Sequence, residues 1–287
     1  MNAENTETLL QVLICAYGAD GLRRIAQNCH PQVKGVCYLI SWQPAGADET
    51  DIPRQIAGRS DFGIYITHTS GLSRNRNNAL ANSSAPLLLL SDDDVSYSAD
   101  GLTAVIAHFD NNPGCDLATF RYESANAPKV YPGSGFDLRH PAKGYYITSF
   151  EIAMRRRLLS ATGVRFNEWF GINSEFGAGE EDLFVHDLLA HGACGSFVPA
   201  TICRHDNDTT GDRMLYSDAF IRIKGAVFSH IHPHTWLPRM IAHAIRSRRH
   251  GFSGGMAAYC RAWLGGVRDA RRLGVFGTGR RVPLSQD

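Results

Sequence analysis

The run Pro86-Leu87-Leu88-Leu89-Leu90-Ser91, closed by Asp92-Asp93-Asp94, constrains the fold more than any other part of this chain. Four consecutive leucines between turn-formers read as a strand buried on both faces, the habit of parallel sheets covered by helices. Three adjacent carboxylates at the C-terminal end of such a strand repel one another and lose hydration unless positive charge lies among them. Ligands of open α/β sheets bind just beyond the carboxyl ends of strands. The feature therefore points to a divalent cation carrying a phosphorylated ligand. If the backbone stays extended, Asp92 and Asp94 face the same side, one for a metal and one for a ribose hydroxyl or metal-bound water. Hard oxygen ligands suit Mg²⁺ or Mn²⁺. The bland alternative is a solvated acidic turn that ends a strand.

The flanking sequence agrees on class. Strand-like segments fall at residues 9–16, 35–42, 64–67, 87–90 and 116–122, with helical patterns at 21–28, 72–82 and 102–109. Such alternation means a mostly parallel sheet with helices on its faces. From Glu123 to Tyr145 a Pro/Gly-rich stretch breaks the pattern, and loops this long are usually functional or disordered. Order returns at residues 146–152, followed by the basic Arg155-Arg156-Arg157. An aromatic and glycine-rich stretch, 166–179, then leads into a helix at 181–191.

At 287 residues, with 44% hydrophobic and 20% charged, the chain can bury a large core and is not a disordered polymer. The net charge of +1 hides an asymmetry, since residues 239–287 hold 10 Arg against 2 Asp. An acidic body with a basic tail suggests two different partners. The seven cysteines show no CxxC spacing and fit a reducing cytoplasm better than a disulfide scaffold. MNAENTETLL has neither a basic n-region nor an apolar h-region, which argues against a secretory leader. No apolar stretch approaches the ~20 residues of a membrane span.

Two further clusters carry chemistry. Gly179-Glu180-Glu181-Asp182 places three carboxylates after a glycine, where one could act as general base toward a hydroxyl. The same residues could simply favour the first turn of a helix through its dipole. His205, after a probable strand, is a metal contact only in the company of other ligands. His230, His232 and His234 alternate, which on a strand would gather three imidazoles for a zinc ion, but Pro233 interrupts them and a surface loop is the favoured reading. Residues 256–272 have helical spacing, with Met256, Tyr259, Cys260, Trp263, Leu264 and Val267 on one side and Arg261, Arg268 and Arg272 on another. This helix either packs on the body or lies on anionic lipid. The tail lacks a nucleic-acid recognition motif, so no nucleic-acid partner is expected.

Taken in order, these segments resemble family 2 glycosyltransferases of the GT-A fold, through much of residues 9–211. Ala16-Tyr17-Gly18 is similar to that family's nucleotide-edge strand. Gly71-Leu72-Ser73-Arg74-Asn75-Arg76-Asn77-Asn78-Ala79-Leu80 resembles its G-x-S-x-x-R-N-x-A segment, and Leu90-Ser91-Asp92-Asp93-Asp94-Val95 its DxD motif. Ser149-Phe150-Glu151-Ile152 and Phe166-Asn167-Glu168-Trp169-Phe170-Gly171 resemble its acceptor region. Gly179-Glu180-Glu181-Asp182 resembles the GED/GEED site of the catalytic base, and His205 with Thr209-Thr210-Gly211 the H…STG ending of some members.

The resemblance implies a GT-A, Rossmann-like mixed sheet flanked by helices, with a basic helical appendage. It divides the chain into a catalytic domain at 1–238 (nucleotide half to about 95, acceptor half beyond) and a tail at 239–287. It further implies metal-dependent, inverting transfer from a nucleotide-sugar, UDP-linked by preference, to a saccharide or lipid-linked hydroxyl in surface glycan synthesis. Asp92 and Asp94 with His205 would hold Mn²⁺ or Mg²⁺. Ala16, Tyr17, Arg74, Arg76, Asn77, Asp92 and Asp93 would serve the nucleotide-sugar, and Asp182 or Glu181 would be the base, with Asp182 preferred. The family's acidic turn after the second strand is replaced by Ser41-Trp42-Gln43-Pro44, which makes Trp42 a candidate for stacking on the base. A cytoplasmic enzyme, peripheral on the inner membrane through 239–287, is the expected setting. The alternatives are a phosphohydrolase using Asp92 and Asp94, and an inactive glycan-binding protein of the same fold.

Overall fold

The computed structural model describes residues 8–28, 30–126, 128–206, 217–249 and 254–276. Cys29 and the Thr209-Thr210-Gly211 motif lie outside these described residues. The chain separates into two compact units, Met1–Ser174 with Glu180–Asp208, and Glu175–Gly179 with Thr209–Asp287.

The first unit is built on a nine-stranded sheet. Strands β1 (Leu10–Tyr17), β2 (Val36–Gln43), β3 (Phe62–Ile66) and β4 (Leu87–Asp92) run parallel. Then come β5 (Ser96–Tyr97), β6 (Leu117–Glu123), β7 (Phe136–Asp137), β8 (Ile152–Arg155) and β9 (Gly195–Arg204). The order is β3-β2-β1-β4-β8-β6-β9-β5, with β7 paired to β9. Because β8 is antiparallel to both β4 and β6, the sheet is mixed beyond β4.

The four leucines split as a doubly buried strand requires. Leu87 and Leu89 join the core on one face with Val12, Leu22, Leu102 and Phe109. Leu88 and Leu90 join the other with Leu13, Leu80, Met154 and Phe184. None of the four is more than 4% exposed. Burial at this level contributes about 1.5–3 kcal/mol per leucine, which fixes β4 at the centre of the sheet. Helices α1 (Gly18–Gln27) and α4 (Ala99–Asn111) cover the first face, while α3 (Leu72–Ala81), α5 (Arg157–Thr162) and α6 (Glu180–Ala190) cover the second. A one-turn helix α2 (Arg54–Ala57) leads into β3.

Local chemistry accounts for the shifted boundaries. Helix α4 starts before the expected 102 because the Ser98 side chain accepts the Gly101 N–H at 3.0 Å and caps it. The segment expected at 146–152 resolves into a 3-10 turn, Ser149–Glu151, closed by a capping box between Thr148 and Glu151, and then β8. The Pro/Gly-rich stretch contributes β7, whose Phe136 pairs with Phe197 of β9.

In the second unit, α7 (Asp218–Ile231), α8 (Trp236–Arg249) and α9 (Met256–Arg272) pack around Ile221, Met240, Ala244, Tyr259, Trp263 and Val267. Helix α7 groups with the helices of the tail, in the unit formed by Glu175–Gly179 and Thr209–Asp287. The alternating histidines are not on a strand. His230 lies in the last turn of α7, His232 caps it and His234 sits in the following turn. The 256–272 helix forms as the spacing requires, but Tyr259, Trp263 and Val267 are buried against α7 and α8 and cannot face lipid.

Candidate active site

Strand β4 ends at Asp92, and Asp93 and Asp94 turn away from it, with Val95 N–H returning to the Asp92 carbonyl at 3.4 Å. The three carboxylates consequently go three ways, and the shared side expected of an extended Asp92 and Asp94 does not arise from strand geometry. Asp93 points at α1, where Arg24 grips it through two bonds of 2.8 Å. Gly21 leaves room for that carboxylate, since a Cβ there would come within 2.7 Å of Asp93 Oδ2. The donor role expected of Asp93 is thereby corrected to a structural one, because a bidentate arginine occupies both of its oxygens.

Asp92 faces α3 and the 3-10 turn. Arg76 Nη2 donates to Asp92 Oδ1 at 3.1 Å, and Ser149 Oγ donates to Oδ2 at 3.0 Å. The same guanidinium reaches Glu180 Oε1 through Nη1 at 2.7 Å. One buried arginine therefore joins the end of β4 to the head of α6, and both acidic clusters meet in space. Burial alone would lower the Arg76 pKa, but Asp92 and Glu180 outweigh it and raise it. Glu180 was not singled out in the sequence as a functional residue. Its signal was the first carboxylate of a run that a helix dipole already explains.

At the base position, Glu181 Oε2 is buried with no hydrogen-bond partner. Burial pushes the Glu181 carboxyl well above the usual range, and the Glu180 and Asp182 carboxylates add to this while Arg76 partly offsets it. Glu181 therefore holds its proton to higher pH than an ordinary glutamate.

Asp94 turns toward the C-terminal end of β9. His205 Nε2 lies 3.3 Å from Asp94 Oδ2, and the imidazole stacks on Phe150 with ring centroids 4.8 Å apart. Its other nitrogen, Nδ1, is buried without a partner. Burial would lower the His205 pKa, yet Asp94 more than compensates and the net shift is upward. A cleft of about 280 Å³ opens beside Asp94, lined also by Arg24, Asn28, Ser96, Arg204 and Asp206. Asp94 and His205 converge as a carboxylate and imidazole pair whose donors suit Mn²⁺ or Mg²⁺, while Asp92 has its oxygens held by Arg76 and Ser149 and does not close on them as a third ligand.

The remaining expected residues are placed as follows. Ala16, next to last in β1, is buried with its carbonyl accepting from Asn75 Nδ2 at 3.0 Å, while Tyr17, which ends the strand, is half exposed. Trp42 is 0% exposed, and its indole N–H donates to the Gly18 carbonyl at 2.9 Å. No ring face is left for a nucleobase, so the stacking role is corrected to core packing. Gln43 instead holds the entry to α3, donating to the Thr69 and Gly71 carbonyls at 2.8 and 3.2 Å. Arg74 bonds Glu168 at 3.0 Å, and Asn77 brackets the Phe166 backbone at 2.9 and 3.0 Å. These two bind the 166–168 segment to α3, and of the three α3 residues only Arg76 meets the acidic centre.

One group gave no sequence signal. Lys129, from the Pro/Gly-rich stretch, is 1% exposed at its side chain and bonds Glu151 Oε2 at 2.6 Å. Tyr131 OH donates to the other oxygen of Glu151, and the ammonium lies 4.2 Å from the Tyr146 ring centroid. Burial lowers the Lys129 pKa, with Glu151 opposing. A lone lysine in an irregular loop cannot be distinguished from a solvated one by pattern.

Residues 48–172 match the model for Glycosyl transferase family 2, a span containing the Gly71–Leu80, Asp92–Asp94, Ser149–Ile152 and Phe166–Gly171 motifs. No curated protein matches the chain in sequence. In fold the chain is similar to S. aureus TarS. Against TarS 1-349 in complex with UDP-GlcNAc the TM-score is 0.64 at 14% identity, covering 91% of this chain and 80% of that one. Against TarS 1-349 in complex with UDP it is 0.58 at 14% identity, with 76% of this chain and 63% of that chain covered. Against a further TarS crystal structure it is 0.57 at 15% identity, with 76% of this chain matched and only 39% of that chain spanned. At these identities the likeness is one of fold. The chain thus carries a segment of the Glycosyl transferase family 2 type at residues 48–172, on a fold similar to that of TarS.

Proposed function

We propose that this protein transfers a sugar, with inversion, from a UDP-sugar to a hydroxyl of a saccharide or lipid-linked glycan acceptor, in surface glycan synthesis. The observation that carries the reading is the Arg76 bridge, which brings the Asp92 end of β4 and the Glu180-Glu181-Asp182 head of α6 to one place. UDP is named because TarS, similar in fold, is crystallised with UDP and with UDP-GlcNAc. Asp94 and His205 would hold Mn²⁺ or Mg²⁺, with Asp92 fixed beside them by Arg76 and Ser149. Such an ion, when bound, neutralises the diphosphate leaving group. Asp182 accepts the acceptor hydroxyl's proton as the oxygen attacks the anomeric carbon. The bond from that carbon to the diphosphate oxygen breaks, and the nucleoside diphosphate departs with both electrons. Arg76 keeps the two carboxylate clusters from repelling each other while this occurs. The setting proposed is the cytoplasmic face of a membrane, met through the basic C-terminal segment. Among the described residues no helix is long and apolar enough to cross a membrane.

Two measurements test this. UDP affinity is read by calorimetry with Mn²⁺ and after chelation, in the wild type and in Asp94→Ala. We expect chelation to weaken wild-type binding at least tenfold and to have little effect in the variant. Asp182→Asn is expected to lower kcat by about 10²–10⁴-fold, the usual contribution of a general base, while Glu181→Gln keeps most of it. Full transfer activity in Asp182→Asn sinks the base assignment. Phosphate release from a simple phosphomonoester with no metal-dependent UDP binding sinks the transferase reading in favour of a phosphohydrolase.

A further inference from the structure

Of the apolar side of 256–272, Tyr259, Trp263 and Val267 are spent inside the second unit, and only Met256 and Leu264 remain outside. Among the described residues, helix α8 presents a longer exposed apolar row. Met240, Ala244 and Ser247 turn inward, at 6%, 1% and 1% exposure. Leu237, Ile241 and Ile245 turn outward, at 50%, 52% and 47% exposure. Their i, i+4, i+8 spacing sets them in one row along the helix. Single exposed apolar residues are ordinary, but a row of three large aliphatic ones on one helix marks an interaction surface.

The charge around the row says what meets it. Arg248, exposed, continues the row past Ile245, and Arg239 and Arg246, also exposed, lie farther round the helix. Helix α8 contains no acidic residue. Between Asp218 and Asp269 the sequence has eight Lys/Arg and no Asp or Glu. A second copy of this chain would bring the same positive face against itself, so a self-complementary dimer is disfavoured by like charge. An anionic bilayer surface offers both what the row and its margins lack: an apolar layer a few ångströms deep and negative headgroups above it.

We propose that α8 is the membrane-docking element of this protein. It lies in the headgroup plane of an anionic bilayer, with Leu237, Ile241 and Ile245 inserted, Arg248 at the end of the row on a lipid phosphate, and Arg239 and Arg246 adding longer-range attraction to the anionic surface. This rests on the proposed membrane setting and not on the sugar chemistry. The arginines give attraction and the aliphatic row gives depth, so the two contributions separate experimentally. Near an anionic surface each basic residue is worth about a fivefold change in partitioning at low salt.

The test is co-sedimentation of the full chain, with no donor sugar present, against vesicles of phosphatidylcholine alone or mixed with phosphatidylglycerol. Wild type is expected on the mixed vesicles only, with binding that weakens as salt is raised. Ile241→Asn with Ile245→Asn should lower partitioning at least tenfold and leave the far-UV dichroism and melting temperature unchanged, since both side chains are solvent-facing. Arg239→Gln with Arg246→Gln and Arg248→Gln should remove the preference for phosphatidylglycerol. Met256→Asn with Leu264→Asn, on α9, should bind as wild type does. The proposal is overturned if wild type ignores the mixed vesicles or the α8 aliphatic pair proves dispensable. It is equally overturned if the α9 pair abolishes binding, or if the wild type is a dimer that the α8 pair dissolves. Because no turnover is read, a failed transferase assay and a failed vesicle assay remain distinguishable.

Discussion

Arg76 sits where an amino-acid substitution does the most damage for a definable reason. Its side chain and that of Glu180 are 3% and 6% exposed, and Asp92 is 28% exposed, so the guanidinium compensates charge that water cannot. Removing one partner of a buried pair leaves the other charge uncompensated, at a cost of about 3–5 kcal/mol. We expect Arg76→Met to lose stability of that order in urea titration and to lose transfer activity with it. Arg76→Lys keeps the charge but presents a single ammonium, which cannot span two carboxylates from fixed fork geometry. It should recover part of the stability and little of kcat; recovery of both would mean that charge alone, without the bridge, suffices. Asp94 and His205 were legible in the sequence because motif identity marks them. The Arg76–Glu180 bond joins residues 104 apart, and no local pattern encodes it. Trp42 and Asp93 were misread for one cause: residue type does not say which way a side chain leaves the backbone. Trp42 goes into the core, and Asp93 goes to Arg24.

Helices α7 and α9 approach each other through glycine. A Cβ on Gly266 would stand 1.9 Å from the Arg222 carbonyl oxygen, and one on Gly225 would stand 2.1 Å from that of Trp263. Neither obstacle is a flexible side chain, so the helices themselves must separate. Gly265, one position earlier, has nothing within 4 Å of its Cβ position. The pair Gly265-Gly266, which by propensity alone weakens α9 by about 1 kcal/mol per glycine, is therefore two different cases. Gly265→Ala should stabilise by about 0.5–1 kcal/mol, whereas Gly266→Ala should destabilise by about 1–3 kcal/mol through overpacking. Opposite shifts in thermal unfolding check this, and two changes of the same sign would mean that α7 and α9 do not pack at this distance. Elements with a continuous period were legible: the leucine strand β4, and α9 to its boundaries. Helix α7 was hidden because His230, His232 and His234 alternate across a helix end, imitating a strand. Helix α8 begins at Trp236, ahead of the helical tail expected from 239, because Pro238 falls in its first turn, where an N–H has no intrahelical partner, and is tolerated there.

The sheet unit and the helical unit each bury one histidine in its neutral form, which gives the protein a common acid limit. His30, 3% exposed, packs against Tyr38, Phe62 and Tyr97 with neither ring nitrogen hydrogen-bonded. Burial, reinforced by Arg59, pushes it down to about 4. His243 takes the hydroxyls of Tyr259 and Ser247 at Nδ1, 2.5 and 3.1 Å away. Burial, with Lys224 and Arg246 adding, pushes it down to about 4 as well. The sign follows from proton counting. Between the ordinary histidine value of 6.5 and about 4, the unfolded chain binds protons that the folded chain does not. Stability is therefore full above 6.5 and is lost as the pH falls through that window. Each site contributes an upper figure of roughly 3 kcal/mol over the whole window, by the usual conversion of a pKa shift. The two units need not unfold together, so a single melting temperature is the wrong readout. Amide hydrogen exchange measured at about pH 7 and about pH 5 resolves them separately. His30→Leu should flatten the acid loss in the sheet unit alone. His243→Leu should flatten it in the helical unit alone. If either variant leaves the pH slope of its own unit unchanged, that histidine titrates in the folded protein as it does in the unfolded one, and the acid limit must be sought among the carboxylates instead.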